Sequence, residues 1–332
     1  MTIDSLKPLS TIVGIGSYVP SQVVDNESLS KKVNTSDEWI RSRTGIKQRR
    51  IANENESTSD LAYNAAKNAL EDAGLKANDI DLVIVATITP DMAFPSTACL
   101  IQHRLGIPKV ACFDVEAACS GFLYALDIAD GMLCSGRFKC ALIVGAEKLS
   151  SIMDWEDRTT CVLFGDGAGA AVLAKSGNGP KLIDFKSGAD GSNPTLLYQP
   201  AGGSLVPASP KSLEDRGHFL KMNGREIFKS TVRVMGAAAR ELIAENGFSE
   251  KDIDHVIPHQ ANARIVESLS QRLEIPLEKF FCNLEKYGNT SAASIPIAFD
   301  EATKASIFKQ GQLGLFVAFG AGLTWSAALI RF

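Results

Sequence analysis

The residues whose types and spacing suit chemistry are Cys119, His259 and Asn289, with a glycine-rich turn at Gly320-Ala321-Gly322. Cys119 follows a short apolar run over 110–115 and precedes a long apolar-periodic helix, in Asp114-Val115-Glu116-Ala117-Ala118-Cys119-Ser120-Gly121-Phe122. This order puts the thiol at a strand-to-helix turn, where unpaired N–H groups and the helix dipole favour an anion. A thiol so placed ionises more easily and can act as a nucleophile. Taken alone, a cysteine among small residues is more often a packing residue. His259 is one of four histidines and stands after Pro258 at the end of an apolar strand. Ligands in α/β folds gather beyond such carboxyl ends. Asn289, in Gly288-Asn289-Thr290-Ser291, precedes a helix as Cys119 does, although alone it reads as a turn residue. The free N–H groups of the Gly320–Gly322 turn could face an oxyanion.

The composition sets bounds on these readings. A chain of 332 residues with 45% apolar and 22% charged residues is an ordinary globular protein with a substantial core. A net charge of −4 argues against nucleic acid as a general partner. The start, Met-Thr-Ile-Asp-Ser-Leu-Lys-Pro, has no apolar leader, and no apolar run is long enough to span a bilayer. Seven scattered cysteines without a CxxC pair fit reduced thiols, hence a cytoplasmic protein without a zinc site.

Elements that could hold these residues follow from periodicity. Strands are expected at 11–19, 81–87, 110–115, 140–144, 255–258, 314–319 and 324–330, and helices at 58–73, 94–103, 224–245, 261–273 and 294–305. Thr35 or Ser36 caps a helix ahead of a basic run, Arg41, Arg43, Lys47, Arg49 and Arg50. The run Gly165-Asp166-Gly167-Ala168-Gly169 lacks the Lys-Ser/Thr of a phosphate loop and reads as a strand packed closely by its backbone. Residues 175–220, rich in Gly, Ser, Pro and Asp, mark a boundary between halves. The second half echoes the first. Thr58, Gly74 and Asp79-Ile80-Asp81 match Thr231, Gly247 and Asp252-Ile253-Asp254 at an offset of 173 residues. Gly136, Gly145 and Ala146 match Gly311, Gly320 and Ala321 at an offset of 175, which sets Cys119 opposite Ser294. The repeat implies a duplicated α/β unit with halves 1–175 and 176–332, equivalent strand ends meeting at a pseudo-twofold axis.

Two enzyme classes combine Cys, His, Asn and a glycine-rich loop. Papain-like proteases place the His ~130–150 residues beyond the Cys, as here, but their local Cys signature and its Trp are missing. The other class is the thiolase-type condensing enzymes. The Cys119 motif, Val256-Ile257-Pro258-His259-Gln260-Ala261-Asn262, Tyr287-Gly288-Asn289-Thr290-Ser291-Ala292-Ala293-Ser294 and Phe319-Gly320-Ala321-Gly322-Leu323-Thr324-Trp325 resemble theirs in order and spacing. With Thr35-Ser36-Asp37-Glu38-Trp39-Ile40 and Arg43-Thr44-Gly45-Ile46, the set resembles the β-ketoacyl-[acyl carrier protein] synthase III family over nearly the whole chain.

That resemblance implies a thiolase-like duplicated αβαβα layered fold. It implies an acyltransferase that condenses an acyl-CoA primer with malonyl-acyl carrier protein by a ping-pong path through acyl-Cys119, with no cofactor, as a homodimer. Cys119, His259 and Asn289 would be catalytic, with the oxyanion held by the N–H groups of Cys119 and Ala321. By the same resemblance Trp39, Arg43, Arg158 and Gly224 would bind CoA, and Lys229, Arg264 and Arg272 would dock the carrier protein. Phe94 would reach into the partner's acyl pocket. Glu116 stands where small or neutral residues are common, Ala321 replaces a frequent Gly, and Gln271 weakens the basic patch. Primer length stays open. So do two alternatives: a quinolone- or polyketide-type condensing enzyme on the same triad, and a non-catalytic acyl-CoA or carrier-protein binding protein.

Overall fold

The computed structural model describes residues 10–332. Residues 1–9, where the sequence offers no apolar leader, lie outside the described residues. The main sheet is built from β1 (Thr11–Tyr18), β2 (Leu82–Ala86), β3 (Ala111–Val115), β4 (Cys140–Glu147), β5 (Gly167–Ala174), β6 (Lys181–Ala189), β7 (His255–Pro258), β8 (Leu313–Gly320) and β9 (Thr324–Arg331). Their order is β7-β8-β9-β6-β1-β5-β4-β2-β3. The helices that matter are α1 (Asp37–Thr44), α2 (Thr58–Ala73), α3 (Thr97–Leu105), α4 (Gly121–Cys134), α5 (Gly224–Glu245), α6 (Ala263–Leu273) and α7 (Ser294–Lys304).

The same winding occurs twice. From edge to centre, one side runs β3-β2-β4-β5-β1 and the other β7-β8-β9-β6. Phe280, bridged in parallel to Val256, stands at the outer edge where β3 stands on the first side. β2 pairs in parallel with β4, as β7 does with β8, and β4–β5 and β8–β9 are antiparallel. β1 and β6 meet at Thr11 and Lys181. The connection from β5 to β6 contains residues 175 and 176.

Burial arranges these elements in five layers. α2 covers one face of β2, β4 and β5 with Leu61, Ala62, Ala65, Ala66 and Ala69. α4 and α7 fill the space between the two halves of the sheet, with Phe122, Leu126, Ile295 and Phe299 in one core. α5 and α6 cover the far face of β7, β8 and β9. α4 is largely apolar because most of its faces pack between the two halves of the sheet, leaving only Ile128 and Gly131 exposed. The glycine-rich run enters β5, where Gly169 lies against Pro296 of α7.

Two sequence expectations change. β6 lies inside the Gly/Ser/Pro/Asp-rich stretch that reads as a boundary. Its own pattern is weak, and its pairing along the length of β9 decides it. The partner of Cys119 across the repeat also changes. Ala118–Ser120 and Ser291–Ala293 form matching 3-10 turns, led by Ala118 (φ 46) and Ser291 (φ 49) and followed by α4 and α7. Ser294 therefore matches Gly121, and Cys119 matches Ala292. The offset of 175 holds for β4 and β8 but not for these turns.

Candidate active site

The turn that carries Cys119 is shaped by main-chain geometry. Ala118 takes a left-handed conformation that an alanine adopts at some cost, and the helix begins immediately after. Thr324 Oγ1 donates to Ala117 O at 2.9 Å and contacts Ala321 O at 3.1 Å, tying the β8–β9 turn to the Cys119 turn. Gly320 makes that approach possible, since a Cβ there would lie 2.7 Å from Cys119 N. Gly145 in β4 makes the equivalent approach to Ala292, where a Cβ would lie 2.4 Å from Ala292 O. Cys119 is a free thiol, 7% exposed. Burial pushes it up to about 12, the Ser291 hydroxyl draws it down, and the Glu147 carboxylate pushes it up. Burial thus outweighs the acidifying helix terminus expected from sequence, and the resting thiol is neutral.

His259 follows β7 and is held by its own N–H, which donates to Val317 O at 2.7 Å. It is 4% exposed, and burial drives it down to about 3, so it is neutral. Its Nδ1 lies 2.6 Å from Ser294 Oγ, which also accepts from Gln260 N at 3.4 Å. The Ser294 hydroxyl can give its proton to Nδ1, the arrangement in which the neutral ring carries its proton on Nε2. Asn289 is 7% exposed and is bridged to Phe164. Its N–H donates to Leu163 O and its Oδ1 accepts from Ser291 N, both at 2.8 Å. The Ser291 contact sets the amide orientation, leaving Nδ2 as the outward donor.

Cys119, His259 and Asn289 line one cavity of about 120 Å³, with Gly224, Phe319 and Gly320. A second cavity of about 590 Å³ reaches Cys119 from the other side and is lined by Ile88, Leu149, Ile152, Leu220, Glu116 and Ala321. The thiol stands where the two meet. A small cavity with two neutral donors and a larger apolar one suit a thiol that holds an acyl group while a carbanion forms beside it.

The other residues singled out by sequence separate into groups. Ser36 caps α1, accepting from Trp39 N at 3.1 Å. The guanidinium groups of Arg43 and Arg158 lie 4.8 and 5.3 Å from the Trp39 ring. Arg158 also donates to Asn34 O at 3.0 Å. The basic run does not form one patch. Arg41 pairs with Asp37 and Lys47 with Glu285, while Arg49 is wholly buried on Val24 O, Asn26 Oδ1 and Val162 O. Burial lowers Arg49 to about 10. Gly224 opens α5 at the smaller cavity. Lys229, Arg264 and Arg272 are exposed on α5 and α6. Lys229 contacts Glu226 at 3.0 Å, Arg264 donates to Ser42 O at 2.8 Å, and the Arg272 stem lies over Gly236 of α5. Phe94 is 84% exposed, beside Ala93 at the larger cavity, and does not line that cavity itself.

Sequence reasoning missed Glu147, which is 0% exposed at the end of β4. It accepts from Thr89 Oγ1 at 2.7 Å and from Ser291 Oγ at 3.1 Å. The signal was one acid closing an otherwise apolar strand.

A family model described as 3-oxoacyl-[acyl-carrier-protein (ACP)] synthase III matches residues 113–191. Its counterpart, described as the C terminal part of the same synthase, matches residues 243–332. The chain is 52% identical over 320 residues to a β-ketoacyl-[acyl-carrier-protein] synthase III of Caldanaerobacter subterraneus subsp. tengcongensis, covering 96% of this chain and 97% of the relative. It is 53% identical over 323 residues to one from Natranaerobius thermophilus, covering 96% and 98%. The solved 3-oxoacyl-[acyl-carrier-protein] synthase III from Aquifex aeolicus VF5 superposes with a TM-score of 0.90 at 49% identity, covering 97% of this chain and 100% of that one.

Proposed function

The chain belongs to the 3-oxoacyl-[acyl-carrier-protein] synthase III family of condensing acyltransferases, with its thiolase-like fold, and from that premise we propose that it primes fatty acid synthesis by joining the acyl group of an acyl-CoA to malonyl-acyl carrier protein. The products are a β-ketoacyl-acyl carrier protein, CO2 and free CoA. The observation that carries this reading is the convergence of Cys119, His259 and Asn289 on one cavity, with a second cavity meeting it at the thiol.

Cys119, as thiolate, attacks the thioester carbonyl of acyl-CoA and keeps the acyl group as CoA leaves. The larger, mainly apolar cavity takes the acyl chain. The oxyanion is held by the N–H groups of Cys119 and Ala321, brought near each other because Gly320 has no side chain. Malonyl-acyl carrier protein then enters on the side of His259 and Asn289. Loss of CO2 leaves an enolate, whose oxygen takes hydrogen bonds from the neutral ring of His259 and the amide of Asn289. The enolate carbon attacks acyl-Cys119, and Cys119 leaves again. One thiol serving two thioesters in turn gives ping-pong kinetics.

Residues 1–175 act as the half that brings Cys119, and residues 176–332 as the half that brings His259 and Asn289. Adenine of CoA stacks on Trp39, which requires a guanidinium now over that ring to move aside, and Arg43 and Arg158 then hold the nucleotide. Gly224 meets the pantetheine arm, and Lys229, Arg264 and Arg272 receive the acidic carrier protein. Exposed Phe94 enters the pocket of a second copy in a homodimer.

The test is a panel of acyl-CoA primers with malonyl donors on CoA or carrier protein, read by mass spectrometry of the protein. A primer should add to Cys119, and Cys119→Ala should lower condensation by at least about 10³-fold. An unmodified Cys119, or full-rate condensation by Cys119→Ala, would sink the reading.

A further inference from the structure

The resting thiol is buried and neutral, so the first half-reaction needs somewhere for its proton to go. His259 is held neutral and is spoken for by the enolate. We propose that Glu147 takes the Cys119 proton through the hydroxyl of Ser291, forming a Cys119–Ser291–Glu147 relay that acts in the proposed acylation step.

The geometry is specific. Ser291 sits in the turn that matches the Cys119 turn across the repeat, and its left-handed main chain aims its two polar groups at different partners. Its N–H donates to Asn289 Oδ1 at 2.8 Å. Its hydroxyl donates to Glu147 Oε1 at 3.1 Å, and Ser291 and Cys119 line the larger cavity together, where the hydroxyl favours the thiolate form. Glu147 is fully buried, and its partners from the end of β2 are Thr87 Oγ1 at 3.2 Å, Ile88 N at 3.2 Å and Thr89 Oγ1 at 2.7 Å. These hydrogen-bonding partners are neutral donors, and Cys119 is the titratable group that Glu147 acts on. Lys148, next in the chain, sends its ammonium to Asn53 O at 3.0 Å instead. Burial pushes the Glu147 carboxyl up to about 7, against the donors that hold it down, which suits a base working near neutral pH. Glu147 acts through Ser291 and touches no substrate atom; it is a positioning and proton-holding residue.

The step balances. The S–H proton passes to Ser291 Oγ as the Ser291 proton passes to Glu147 Oε1. The thiolate forms a C–S bond to the acyl carbon, the bond to CoA sulfur breaks, and the CoA thiolate takes a proton from water. After condensation the C–S bond to Cys119 breaks, and the Cys119 thiolate recovers the stored proton from Glu147 along the same path.

The experiment measures single-turnover acylation of Cys119 from the primer the wild-type enzyme accepts, between pH 5.5 and 9.5. It compares the full-length protein with Glu147→Gln, Ser291→Ala and the double variant. Ser291→Ala keeps the main-chain N–H that orients Asn289. The relay requires each single variant to slow acylation at pH 7 by about 10- to 100-fold and to lose the break near neutral pH. The double variant should be no slower than the slower single one. A Glu147 that is only a nearby charge gives the opposite sign. Removing an anion that holds the thiol up would speed acylation and shift its profile to lower pH, and that result overturns the relay. So does an additive double variant, or a wild-type profile in Ser291→Ala. If Glu147→Gln does not fold, loss of the neutral break in Ser291→Ala decides alone. A wild-type Cys119 that no acyl-CoA modifies sinks the proposed function itself; normal acylation with unchanged profiles in the variants sinks only the relay.

Discussion

At the scale of residues, the site is a set of groups whose charge states are controlled by burial. In the proposed reaction, His259 and the amide of Asn289 serve as donors without being acids, which an enolate oxygen needs if it is not to be protonated before it attacks. Replacing either with Ala should lower condensation by about 10²- to 10³-fold while Cys119 is still acylated, read by comparing steady-state product with the mass of the protein. His259 also ties stability to pH. The unfolded chain binds a proton at this ring below about 6.5, and the folded protein does so only near 3. Stability is therefore present above about 6.5 and is lost as pH falls toward 3. Thermal midpoints measured from pH 7 to pH 4 should fall in the wild type and fall less steeply in His259→Gln. Cys119, His259 and Asn289 were legible in the sequence because each closes an apolar run or precedes a helix. Glu147 was not, because one acid after an apolar strand looks like a surface residue until the sheet and both turns are seen to enclose it.

At the scale of elements, the two strand–turn–helix units are alike in backbone and unlike in use. Each has a left-handed residue opening a 3-10 turn, and each is approached by a glycine of the opposite half: Gly320 against Cys119, Gly145 against Ala292. The same substitution should therefore have different results. Gly320→Ala places a Cβ 2.7 Å from Cys119 N, at the proposed oxyanion site, and turnover should fall by about 10²-fold or more. Gly145→Ala places a Cβ 2.4 Å from a carbonyl oxygen in the core, and the expected effect is a loss of about 1–3 kcal/mol of stability in denaturant titration. Most element ranges were readable from periodicity. β6 was not, since a strand paired over its length with β9 and touching β1 needs little pattern of its own. The pairing of Cys119 with Ser294 failed for a related reason: the offset between halves changes from 173 to 175 along the chain, and only superposed turns show where.

At the scale of the whole molecule, Lys229, Arg264 and Arg272 are exposed on α5 and α6, two helices whose other residues, Ile227, Phe228 and Ile265 among them, line the cavity that holds Cys119. If an acidic carrier docks there, the Lys229→Glu/Arg272→Glu double variant should raise KM for malonyl-acyl carrier protein by about 10-fold at low salt. KM for acyl-CoA should be unchanged, and the gap should narrow as salt is added. The basic run near α1 shows how far sequence alone could go: five cations within residues 41–50 read as one run, and folding put Arg49 in the core and paired Arg41 and Lys47 with acids. What the sequence determined by itself was the set of local elements, the duplication and the motifs, because periodicity, capping and spacing act over a few turns of chain. What only the tertiary structure decided was the charge state of each group and the company it keeps. Those depend on removal from water and on residues more than a hundred positions away, as where Glu147 meets Ser291 and Gly320 meets Cys119.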